Sequence, residues 1–64
     1  MENRLKIIRL SKNYSQEKLA KKSGISRATI IAVERGRTSP NFYTMQSIAR
    51  GLEMPVWEVF IDDV

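Results

Sequence analysis

The chain has 64 residues, with eleven Lys and Arg against seven Asp and Glu and a formal net charge of +4. A chain of this length makes one domain, residues 1–64, and buries only about 60% of its unfolded surface, so its own core gives a thin margin of stability. Without cysteine or histidine, a disulfide framework is excluded and a zinc site would need carboxylates alone, which leaves partner subunits as the common staple for so small a fold.

The N-terminal stretch MENRLKIIRL holds no long apolar run and no small-residue cleavage site. A signal peptide and a membrane span are therefore not expected, and a cytoplasmic protein without a membrane partner is. The charge is segregated. Residues 1–51 carry every Lys and Arg but only Glu2, Glu17 and Glu34, while residues 52–64 carry Glu53, Glu58, Asp62 and Asp63 and no base. A basic body with an acidic tail points one end at a polyanion and the other away from it; solvated charge that happens to be segregated is the plain alternative. An enzyme is not expected. There is no Gly-rich phosphate loop, no His or Cys, and no carboxylate pair outside the acidic tail, and nothing calls for a cofactor.

Five helical segments and no strand are predicted, an all-α fold. The first, about Asn3 to Lys12, sets Leu5 and Ile8 on one face with Arg9 beside them, and Ile7 and Leu10 on the opposite face. Ser15 is an N-cap for the second helix, flanked by Tyr14 and Leu19 at the two staple positions. That helix runs to about Lys22 and ends at Ser23 and Gly24, where glycine permits the positive φ of a sharp turn. The grammar repeats at once, with Ser26 as cap and Ile25 and Ile30 as staple. The third helix runs from Arg27 to about Arg35 and is stopped by Gly36.

Ile30 and Val33 face inward on this third helix, while Arg27, Ala28, Ile31 and Ala32 fall on the other side. One charge among apolar groups is unusual for a solvated face. It suits a helix lying in the major groove of DNA. Arg37 to Pro40 forms a loop, and Asn41 caps a fourth helix with the stripe Phe42, Met45, Ile48, Ala49 and Leu52. Gly51, inside that helix, is expected to allow a close approach by a neighbouring helix. Pro55 opens a fifth helix, Val56 to about Ile61. Val59 and Phe60 can reach the core from it, and Trp57 and Ile61 make a separate stripe.

Taken together, SQEKLA at Ser15 to Ala20, GIS at Gly24 to Ser26, ERGR at Glu34 to Arg37 and PNFYTMQSIARGL at Pro40 to Leu52 resemble the lambda-repressor and Cro type of helix-turn-helix domain, the XRE-like regulators. The resemblance runs from about Leu5 to Phe60. It implies a compact five-helix bundle that binds double-stranded DNA through a helix-turn-helix at residues 15–36, as a sequence-specific transcriptional regulator. A repressor acting as a homodimer on a palindromic operator is the finer expectation.

Carried onto these residues, the resemblance gives Gln16 a phosphate to bond and a recognition helix to brace. Ser26, which starts the recognition helix, is expected among the DNA-binding residues. Arg27 has the reach to donate two bonds to guanine, with a phosphate contact or a solvated side chain as the alternatives. Ala28, Ile31 and Ala32 depart from the polar groups usual there; they can meet thymine methyls, or Ile31 can be buried against a neighbour. Thr29 is a phosphate ligand or a partner of the cap. Arg35, Arg37, Thr38 and Asn41 can hold a second phosphate segment near the start of the fourth helix. Arg9 and Glu34 match a family ion pair that positions the recognition helix.

The segment 41–64 is expected to form the dimerisation end through Trp57 and Ile61, with the Ile7 and Leu10 face as a second candidate. A protein-interaction module, such as the antitoxin of a toxin–antitoxin pair, is the competing function. A protein co-regulator is a further possible partner.

Overall fold

The structure, a computed structural model, describes residues 4–60. Among them are five α-helices and no strand: α1 Leu5–Ser11, α2 Gln16–Ser23, α3 Arg27–Glu34, α4 Phe42–Leu52 and α5 Val56–Val59. The caps fall where short polar side chains precede apolar periodicity. Ser15 Oγ accepts from Lys18 N at 3.0 Å, Ser26 Oγ from Thr29 N at 3.1 Å and Asn41 Oδ1 from Thr44 N at 2.8 Å. Each satisfies one of the amides that a helix start leaves without a partner. Gly24 ends α2 at φ 71°, and Gly36 follows the end of α3 at φ 69°, the left-handed conformation that a residue without Cβ adopts freely.

The core forms where these helices meet. Leu5, Leu19, Ile30, Val33, Ile48, Leu52 and Val59 are fully buried, with Ile8, Ala20, Ala49 and Phe60 beside them. α2 packs chiefly on α4 and on α3, α1 on α3, and α5 on α4. At the α2–α4 crossing a Cβ on Gly51 would collide with Ser23 Oγ and stand 3.2 Å from Ser23 N. The glycine inside α4 is thus the condition for that close approach. Arg4 N donates to Val59 O at 3.2 Å and ties the start of α1 to α5.

Two expectations need correction. Phe42 does not join the core stripe of α4 and is 61% exposed. It is the first residue of the helix, one turn before Met45, where the stripe first packs against the core. The fifth helix stops at Val59, since Phe60 leaves helical geometry at φ −111° and ψ 77°. Phe60 uses that bend to bury its ring. The Asn3 start of the first helix and the dimer role of Ile61 lie outside the described residues.

Candidate nucleic-acid interface

The geometry centres on α3, a helix with two unlike sides. Its inner side, Ile30 and Val33, is fully buried. Its outer side carries Arg27 and Ala28 exposed and Ile31 and Ala32 half-buried. At the start of α3 the Ser26 and Thr29 hydroxyls pair at 2.9 Å while Ser26 Oγ also caps the Thr29 amide. The Thr29 hydroxyl is thus a partner of the cap.

At the other end, α3 is locked to α1 and α2 through one carboxylate. Arg9 Nε donates to Glu34 Oε2 at 2.5 Å and its Nη2 to Oε1 at 3.2 Å, while Nη1 donates to Tyr14 O at 2.7 Å. Gln16 Nε2 donates to the same Glu34 Oε1 at 3.2 Å. The two charged side chains are 7% and 4% exposed. Burial on this scale is tolerable because every charge is answered by hydrogen bonds in fork geometry. The network makes Gln16 a brace of α3. Its amide nitrogen carries a second hydrogen for an outside acceptor.

Two open clefts flank α3. One, of about 470 Å³, is lined by Lys6, Arg9, Ser15, Gln16, Glu17 and Arg27, at the starts of α2 and α3. The other, of about 440 Å³, lies between α3 and the loop to α4, with Ala28, Thr29, Ala32 and Val33 on one wall and Thr38, Ser39, Pro40, Asn41 and Thr44 on the other. Arg35, Arg37 and Thr38 are exposed along that loop. A helix with an open cleft on each side and exposed guanidinium groups at both ends has the form of a rod that enters a groove between two phosphate-bearing rims.

Lys6, which sequence reasoning passed over, lines the first cleft together with Gln16 and Arg27. The lysines of α2 were also missed as a group. Lys18 Nζ and Lys22 Nζ stand 5.1 and 5.4 Å from the centroid of the Tyr14 ring, within cation–π range. Their four-residue spacing on α2 was the available signal. Trp57 is 73% exposed and borders a third cleft of about 430 Å³ with Gln46, Ala49, Arg50, Met54, Pro55 and Val56. It does not fold back over the core. Among the described residues no group of three or more acidic side chains could hold a metal ion, and no helix is long and apolar enough to cross a membrane.

Known proteins are similar to this chain in sequence and in fold. The helix-turn-helix family matches residues 5–56. An HTH-type transcriptional regulator of Methanocaldococcus jannaschii is 43% identical over 61 residues, which is 95% of this chain and 92% of that one. The restriction-modification controller protein C.AhdI from Aeromonas hydrophila superposes with a TM-score of 0.85 at 35% identity, over 89% of this chain and 86% of that one. The cryptic phage CTXphi transcriptional repressor RstR of Vibrio cholerae is 27% identical over 94% of this chain and 54% of its own length.

Proposed function

This chain belongs to the helix-turn-helix family of DNA-binding transcriptional regulators, and from that premise we propose that it is a repressor that binds a palindromic operator as a homodimer. The observation that carries the reading is the braced, two-sided α3 between its two clefts. With Ile30 and Val33 anchored, Arg27, Ala28, Ile31 and Ala32 meet base edges in the major groove. The arginine donates to guanine and the apolar groups meet thymine methyls. Gln16 and Ser26 at the helix starts, and Arg35, Arg37, Thr38 and Asn41 across the second cleft, hold the phosphates on either side. Thr29 contributes by fixing the start of α3 through Ser26.

Dimerisation is assigned to the α4–α5 end, where Trp57 stands exposed beside its cleft. Tryptophan is enriched where partners meet, and two-fold symmetry is the commonest assembly. Repression follows from occluding the polymerase in the cytoplasm, and kinship with a phage repressor supports that sign of regulation. The exposed Ile7 and Leu10 on α1 favour a second role in holding a protein partner, whether a co-regulator or a toxin.

Selection of bound duplexes from a random pool, at stated salt, tests the reading. The expected result is an enriched inverted repeat with half-site centres about 34 Å apart. Affinity should fall with salt by about 0.9 log units per log unit for each neutralised phosphate. Absence of enrichment would overturn it.

A further inference from the structure

Lys6 is an exposed residue of α1, and the reading above leaves it without a task. It stands three residues before Arg9, which puts the two side chains next to each other along one side of the helix. Arg9 is clamped to Glu34 and to Tyr14 O, so this side of α1 is held in place against α2 and α3. Both residues line the first cleft, at the starts of α2 and α3, and Ser15, Gln16, Glu17 and Arg27 complete its lining.

The charges of that lining do not cancel. Arg9 is neutralised by Glu34. Lys6 and Arg27 then stand against Glu17 alone, which leaves one cation in excess. Among the described residues Lys6 makes no ion pair. Gln16 adds a neutral donor to the same lining, since Glu34 takes only one of its two amide hydrogens. An unanswered cation beside a free N–H suits an anion, and the cleft flanks the helix that is read as entering the groove. A backbone phosphate is the anion that a duplex brings there.

We propose that Lys6 is a phosphate ligand: its ammonium neutralises a backbone phosphate of the operator in the first cleft, the same phosphate that Gln16 Nε2 reaches. This rests on the DNA reading above and deepens it, because it brings a third helix, α1, onto the duplex. A point charge on a flexible stem reads no base. The contact therefore adds affinity and salt dependence and no sequence preference.

The test titrates the whole chain against the duplex enriched from the random pool and against single-base variants of it, at several salt concentrations. Lys6→Gln should flatten the slope of log affinity against log salt by about 0.9 for each chain on the duplex. The loss should be about eightfold per chain at about 0.1 M salt, shrink toward 1 M, and be the same on every duplex. Lys6→Arg, which keeps the charge, should hold the parent slope. Lys22→Gln removes an equal charge from α2, where the ammonium lies beside Tyr14 and lines neither cleft of α3, and should hold it too. An unchanged slope with Lys6→Gln overturns the proposal. An equal flattening with Lys22→Gln also overturns it and assigns the effect to net charge. Arg27→Ala in the same titration separates the two readings: if it weakens binding while Lys6→Gln leaves the slope alone, only this inference falls. If the pool yields no bound duplex, the DNA reading falls with it.

Discussion

The α2–α3 unit and the α5 end solve opposite problems with the same few residue types. Around α3 the chain invests in polar cross-links, with two serine caps and a carboxylate shared by Arg9 and Gln16. At α5 there are four helical residues, no side-chain cap and a tryptophan turned outward. The contrast teaches where precision is required. A helix proposed to present side chains to base edges is fixed in angle and register from both ends. The surface proposed to meet a partner through Trp57 needs less.

Breaking the brace is the strongest test of that contrast. Glu34→Ala leaves the Arg9 guanidinium buried without its carboxylate and should cost about 3 kcal/mol, a large share of what so small a domain holds. Arg9→Met combined with Glu34→Leu should recover much of that loss. Urea unfolding of Arg9→Met, Glu34→Leu and the variant that combines them reads the coupling, and simple additivity would remove the pairing. Next in size is Ser26→Ala, which unpairs the Thr29 amide and hydroxyl together and should cost about 1 kcal/mol in the same measurement. The smallest effect on folding belongs to the other end. Trp57→Ala should change monomer stability by less than about 0.5 kcal/mol, yet shift sedimentation from dimer to monomer. A dimer that survives it moves the contact to the Ile7 and Leu10 face.

The same contrast separates what the sequence made legible from what it did not. Caps and stops are local chemistry. Ser15, Ser26, Asn41, Gly24 and Gly36 could be placed from their neighbours alone, and the inward set of Ile30 and Val33 from helical period. Gly51 was legible because a glycine inside an apolar helix calls for a reason. The pairing of Arg9 with Glu34 came through family resemblance, since residues 25 apart carry no local sign of each other.

The bond from Gln16 to Glu34 had no local sign either, since the two residues stand 18 apart in the chain. Phe42 was misplaced for a related reason: a period describes the face of a helix and says nothing of where the neighbouring helix ends. The end of α5 at Val59 depends on Phe60 giving up helical geometry to reach the core, which only the packed bundle decides.

The division of α3 between an inner and an outer side has a consequence for how such proteins diversify. Ile30, Val33 and Glu34 carry the structural obligations of the helix, while Arg27 and Ala28 face solvent and hold nothing in place. Substitutions on the outer side can therefore accumulate with little penalty in folding. A duplicated copy of this chain could drift to a new operator while its scaffold stays under the old constraints.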